Sequence, residues 1–309
     1  MILNVLIFIS AIAALLVSAR LFTQAAEEIG KYLRLPSFVI GVFIVGIGTS
    51  LPELISGTLS VQKGLSDILA GNVIGSNISN ILLITGLAVA INRKSITLNT
   101  GYLFIDLHFL IGSFFYFYII AYDGRIDFYE AFIGLIMFVV YSVHLIKGES
   151  SKGEETEERG AFPVKGMALL LLSGVGIYFG ADYTVFSLEK IATQMGIPNS
   201  VIALTLLSLG TTLPELAVNI SAIRQGKAEM AIGNVLGSCI FNTLVIPAAG
   251  AAIGTITVPQ NLLGFSLPVM AGCGLFFYLL THDKKISVWE GLMFVCLYTL
   301  FIIKIAMAT

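Results

Sequence analysis

Gly48-Thr49-Ser50-Leu51-Pro52-Glu53 returns, 162 residues later, as Gly210-Thr211-Thr212-Leu213-Pro214-Glu215. Each copy lies deep inside a long apolar segment. A carboxylate is expensive there and a proline interrupts helical hydrogen bonding, so packing alone explains neither residue. Outward from this phrase the same offset pairs Glu27 with Glu189, Pro36 with Pro198, Val39-Ile40 with Val201-Ile202, and Gly71-Asn72-Val73 with Gly233-Asn234-Val235. Gly75-Ser76 with Gly237-Ser238 and Asn80 with Asn242 extend the register. An uninterrupted match of this kind marks an internal duplication, so the chain is two related halves. A buried acid present in both of them points first to ion transport.

Hydrophobic residues make up 57% of the 309 residues and charged residues only 12%, whereas soluble domains carry roughly a quarter charged. Apolar runs of about 20 residues recur along the whole length, long enough to cross a hydrocarbon core of roughly 30 Å. The expected fold class is an all-α polytopic membrane protein. Ten spans are predicted at 2–26, 37–61, 68–91, 101–121, 127–147, 164–188, 199–223, 230–254, 259–281 and 286–308. Five spans per half is an odd number, so the second half must enter from the other side, giving two inverted five-helix repeats. The halves are residues 1–147 and 164–309, joined by an acidic linker at 148–163. The first run ends in Val17-Ser18-Ala19, which resembles a signal-peptidase site. No Lys or Arg precedes it and the run continues toward Glu28, so it is read as a retained span.

Twelve of the 17 basic residues fall in the loops after spans 1, 3, 5, 7 and 9, among them Lys31, Arg34, Arg93, Lys94, Arg224, Lys227, Lys284 and Lys285. The positive-inside rule makes that face cytoplasmic, in the cell membrane, and leaves both termini outside. The linker carries Glu149, Glu154, Glu155, Glu157 and Glu158 among small polar residues and reads as solvated chain; it lacks the glycine turn and spacing of a calcium-binding loop. A net charge of −2 and scattered basic residues argue against a nucleic-acid partner. Cys239, Cys273 and Cys296 all fall in spans without metal-ligand spacing, and are read as buried small apolar side chains. Ile126 to Glu130 aligns with Ile286 to Glu290 at an offset of 160, which relates the last spans of each half too. Asp123, Asp127, Asp283 and Glu290 sit at loop edges, where solvated caps are expected.

Pro52 and Pro214 cannot donate to the carbonyls of Gly48 and Gly210, which become available. Gly46 and Gly48 in one half, with Ser208 and Gly210 in the other, let a cation approach the backbone. In lipid, such irregular backbone survives only where it is buried in protein or lines a wet cavity. The next span of each half adds a polar face: Asn72, Ser76 and Asn80 are spaced i, i+4, i+8, as are Asn234, Ser238 and Asn242. Asn72 and Asn234 are read equally as interhelical glue or as part of a site, and the other four as part of the site. Two carboxylates, hydroxyls and carbonyls are hard oxygen donors, and no His or Cys joins them in repeated form. That donor set favours Ca²⁺ over zinc or copper. Emptied of calcium, the paired acids repel one another at low dielectric and must take up other cations or protons, a competition sufficient for obligatory exchange.

The two copies of Gly-Thr-Ser/Thr-Leu-Pro-Glu, each followed by Gly-Asn-Val-Ile/Leu-Gly-Ser, resemble the alpha repeats of the calcium/cation antiporter superfamily, closest to its sodium/calcium exchanger branch. The resemblance covers essentially the whole chain. It implies a central site formed by spans 2, 3, 7 and 8, with spans 1 and 6 sliding over that core. It places calcium ligands at Glu53, Glu215, Thr49 and Thr211, and sodium-binding positions at Ser50, Ser76, Thr212 and Ser238, with backbone oxygens at Gly46 and Ser208. Some relatives have Asp where this chain has Asn242. With Asn80 also neutral, the site holds two formal negative charges, so Na⁺ and H⁺ both stay open as the counter-ion. No cofactor is expected; the ions are cargo. Arg20 stands where the second half has Asp182, an asymmetry read as a snorkelling side chain in preference to a gate.

Two other classes share part of this pattern. A passive cation channel would use the same polar residues without coupling. An intramembrane enzyme would need a base, and His108, His144 and His282 have no counterpart at repeated positions.

Overall fold

A computed structural model describes residues 2–92, 95–97, 102–150, 162–195, 199–281 and 285–308. Among the described residues, ten long helices are found. They are α1 (Ile2–Tyr32), α2 (Ser37–Gln62), α3 (Ser66–Asn92), α4 (Tyr102–Ala121) and α5 (Phe128–Ser150), then α6 (Val164–Gln194), α7 (Asn199–Arg224), α8 (Ala228–Ala251), α9 (Leu262–Leu280) and α10 (Val288–Ala308). The spans drawn from the sequence match this order. The main difference is that α1 and α6, at 31 residues each, run one to two turns past the expected ends. Of the linker predicted at 148–163, its start is the end of α5 and residues 151–161 lie outside the described residues.

Polarity alone does not distinguish these helices, but burial does. In α8 94% of the most apolar window is inside the protein and in α3 72%, against 17% for α1 and 28% for α6. So α8 and α3 are the axis, and α1 and α6 lie on the outside. The central crossing of α2 on α8 brings backbones together, because a Cβ built on Gly41 would lie 2.2 Å from the Met230 carbonyl oxygen and one on Gly233 2.2 Å from that of Phe38. Glycine is the residue that permits this approach.

The outer pair, α1 and α6, packs antiparallel along its length. Glu28 lies against Gly166, Ser18 against Gly176 and Leu15 against Gly180. At α1's end Glu27 binds Lys31 at 3.0 Å and Lys227, ahead of α8, at 2.6 Å.

Two short antiparallel strand pairs fasten the loops. β1 (Ile96–Thr97) pairs with β4 (Lys285–Ile286), and β2 (Arg125–Ile126) with β3 (Ile256–Thr257), in registers that set Ile96 against Ile286 and Ile126 against Ile256. The first pair joins the loops after α3 and α9, on the basic face. The second joins the loops after α4 and α8, on the opposite face. Each is the image of the other at the offset of 160, which is the inverted relation seen directly.

Several loop-edge acids act as caps. Glu290 Oε2 accepts from the Ser287 amide at 2.6 Å while Ser287 Oγ accepts from the Glu290 amide at 3.3 Å, a capping box at the start of α10. Asp123 accepts from the Arg125 amide at 3.1 Å and Asp127 from the Thr255 hydroxyl at 2.9 Å; Asp283 lies outside the described residues. One cysteine departs from expectation. Cys239 and Cys273 are buried, but Cys296 is exposed, because it falls on the outward side of α10, a helix only 22% buried.

Candidate functional site

The first motif sits at a real break in α2. A π-helical turn, Gly41–Gly46, precedes it, and at Ser50 the backbone leaves the helix (φ −88°, ψ 0°) before a new segment, Leu51–Gln62, begins. Pro52 suits that start because its missing amide would have had no helical partner there. Glu53 then lies in the first turn, where the helix N-terminus favours negative charge. The second motif behaves differently. Helix α7 continues from Asn199 through Pro214 to Arg224 without interruption. The expectation of two broken helices is therefore corrected to one, since a single missing hydrogen bond is tolerated within a packed membrane helix. The π-turns, here and at Ser79–Ile84 in α3, were not foreseen, because no residue type marks them.

The two halves meet at their acids. Glu53 is 2% exposed and Glu215 1%, and their carboxyl groups lie close enough to act on each other electrostatically. Thr49, four residues before Glu53, ties the first motif to the wall: its hydroxyl donates to Asn234 Oδ1 at 3.2 Å. Ser238 donates to the Gly46 carbonyl at 3.2 Å and approaches Asn234 Oδ1 at 3.5 Å. Glu53, Glu215, Thr49, Gly46 and Ser238 thus form one oxygen-rich cluster on α2, α7 and α8. Asn234, which the sequence left evenly divided, belongs to it.

The remaining expected residues are distributed around this cluster. Ser50, Asn80, Thr212 and Asn242 are buried. Ser76 donates to Asn72 at 3.3 Å, within its own helix, and Asn80 lies in the second π-turn with its side chain against Cys239. Ser208 and Thr211 fall on the part of α7 whose side chains lie outside the described residues.

Among the described residues, the buried polar atoms that lack a hydrogen-bond partner include Ser50 Oγ, Glu53 Oε2, both Glu215 oxygens and both polar atoms of Asn242. Such groups are costly to leave unmet. Their residues belong to the two motifs and to the polar face beside them. Asn219, also buried with both side-chain atoms unpartnered, follows Glu215 by one turn on the same face. The repeat comparison hides it, because its counterpart is Gly57; spacing of i, i+4 from the glutamate would have found it. Asn77 was missed as well. Its amide donates to Thr243 at 2.8 Å and fastens α3 to α8, a packing role.

Relatives with the same construction are known. The sodium/calcium exchanger MaX1 of Methanosarcina acetivorans is 30% identical, over 97% of this chain and 97% of its own. An uncharacterized membrane protein of Methanocaldococcus jannaschii is 30% identical over 93% of this chain and 92% of its own. Among solved structures, the sodium-calcium exchanger NCX_Mj, soaked with Na⁺ and Sr²⁺, superposes with a TM-score of 0.85 at 29% identity, covering 100% of this chain and 99% of that one. A profile of the sodium/calcium exchanger protein family matches residues 3–147 and 165–306, nearly all of both halves. With ten helices in two inverted repeats and a duplicated acidic motif at their meeting point, the chain belongs to the sodium/calcium exchanger family.

Proposed function

We propose that this protein exchanges Ca²⁺ for Na⁺ by alternating access, with Glu53 and Glu215 shared in turn by the two ions. The observation that carries this reading is the meeting of one buried carboxylate from each half inside a ring of hydroxyl, amide and carbonyl oxygens. Two negative charges match one Ca²⁺ or two Na⁺, and oxygen donors without nitrogen or sulfur suit both. The full-length relatives named as sodium/calcium exchangers favour Na⁺ over H⁺. Burial of both acids favours an occluded exchanger over an open pore.

The moving part in this reading is the α1–α6 pair. It lies outside the tightly crossed α2–α8 core, and Phe22 of α1 covers the first motif, its ring 3.0 Å from where a Cβ on Gly48 would be. Displacing the α1–α6 pair over the core would uncover the site on one side of the membrane. The basic face is taken as cytoplasmic, with both termini outside.

Calcium uptake into proteoliposomes tests the proposal. Uptake should follow an outward Na⁺ gradient and not a pH gradient of equal size. Uptake driven only by pH would assign H⁺, and uptake that saturates without either gradient would indicate a channel. Thr49→Ala removes a hydroxyl but no charge, so it should weaken the apparent calcium affinity about three- to tenfold, read from concentration dependence of that uptake.

A further inference from the structure

Two cavities of about 330 Å³ each open between the outer helices and the core. One is lined by Pro52, Ser56, Leu59, Tyr178, Asp182 and Pro214. The other is lined by Leu16, Arg20, Ile220, Ser221, Arg224 and Gln225. At the offset of 162, Leu16 corresponds to Tyr178, Arg20 to Asp182 and Ser221 to Leu59. The two cavities are therefore images of each other under the inverted repeat, one toward each face. The contacts of Leu15 with Gly180 and Ser18 with Gly176 set Leu16 and Tyr178 at about the same level of the α1–α6 pair. Arg20 and Asp182 lie four residues beyond that level, about one turn or 6 Å, in opposite directions.

Their charges differ in sign. A charged side chain within a membrane helix needs water or a partner, and among the described residues neither Arg20 nor Asp182 forms an ion pair; both are exposed to their cavities. The cavities are accordingly wet. The first touches the two motif prolines, each directly followed by a site glutamate, so it is a vestibule to the site. It carries one negative charge, while its image near the basic face carries Arg20 and Arg224.

We propose that Asp182 and Arg20 are positioning residues for the transported cations, making the vestibule on the face opposite the basic loops attract cations and its image on the basic face repel them. This rests on the ion site proposed above. Low-dielectric walls focus the field of a single charge. An ion of charge z is concentrated by the Boltzmann factor of its charge in that field. If the vestibule enriches Na⁺ by a factor f, it enriches Ca²⁺ by f squared. The two faces then differ in apparent affinity for Ca²⁺ more than for Na⁺, although the central ligands are common to both.

The test uses the full chain in sealed proteoliposomes of one orientation, selected through a C-terminal tag, with half-saturating Ca²⁺ and Na⁺ measured separately at each face. Ionic strength is set with choline chloride. Asp182→Asn should raise half-saturating Ca²⁺ on its own face roughly three- to tenfold at low ionic strength, and half-saturating Na⁺ by about the square root of that factor. Maximal rate and the values at the other face should stay as in wild type, Asp182→Glu should restore the affinity, and about 0.5 M salt should erase the difference. Arg20→Gln should lower half-saturating Ca²⁺ at the basic face. Equal shifts for the two ions, shifts at both faces, persistence in high salt, or no shift would each overturn the proposal. Loss of the site reading itself would look different, as transport surviving Glu53→Gln.

Discussion

Glu53→Gln and Glu215→Gln should each reduce calcium transport by at least about 100-fold while the protein remains folded. The amide keeps the shape of the carboxyl and removes one of two charges. With Asn80 and Asn242 neutral, no other formal charge is present among the site residues to replace it. Removing one partner of a buried charge interaction typically costs about 3–5 kcal/mol, which is roughly two to nearly four powers of ten in affinity. Folding should not suffer, because the calcium-free site loses a like-charged pair whose burial is unfavourable. Thermal unfolding separates the two effects. Wild type should be stabilised by about 2.7 kcal/mol at calcium concentrations 100-fold above its Kd, and the variants should show no such gain. A variant that still transports calcium normally would remove its glutamate from the site.

Gly41→Ala, Gly233→Ala and Gly237→Ala should each destabilise the protein by about 1–3 kcal/mol or prevent its assembly. In all three the added methyl meets backbone and not the end of a flexible side chain: the Met230 carbonyl oxygen at 2.2 Å, that of Phe38 at 2.2 Å and that of Val42 at 2.5 Å. Backbone on both sides is held by helical hydrogen bonds, so the helices must separate. Gly112→Ala and Gly272→Ala provide the opposite sign. Nothing lies within 4 Å of a Cβ at either position, and alanine in a helix is favoured over glycine by roughly 0.5–1 kcal/mol. Midpoints of thermal unfolding in detergent would check the pattern. A uniform response across all five would show that the α2–α8 crossing is loose.

The sequence is informative where the two halves agree. Spans, inversion and the facing acids all follow from matched residues such as Pro52 and Pro214 or Glu53 and Glu215, because a repeated costly residue has few explanations in lipid. It is uninformative where they differ. Pro214 carries the same signal as Pro52, yet only α2 breaks, since tertiary packing and not the proline alone decides whether the helix resumes. Asn219 escaped because its counterpart is Gly57, and Arg20 was set aside as a snorkelling residue although it lines a cavity. The strand pairs were half visible. Ile126 to Glu130 matches Ile286 to Glu290, but Ser95-Ile96-Thr97 and Thr255-Ile256-Thr257 are too short to signal strands before their partners are known.

Those strand pairs bear on how such a chain could arise. Ile96 of the first half meets Ile286 of the second, and Ile126 meets Ile256, so each half offers the other the same two edges. A residue that contacts its partner's equivalent surface reciprocally is what defines an isologous dimer. A single five-helix unit, inserted in both orientations, could therefore have closed upon a second copy of itself with all of these contacts already in place, leaving gene fusion to add only the tether between them.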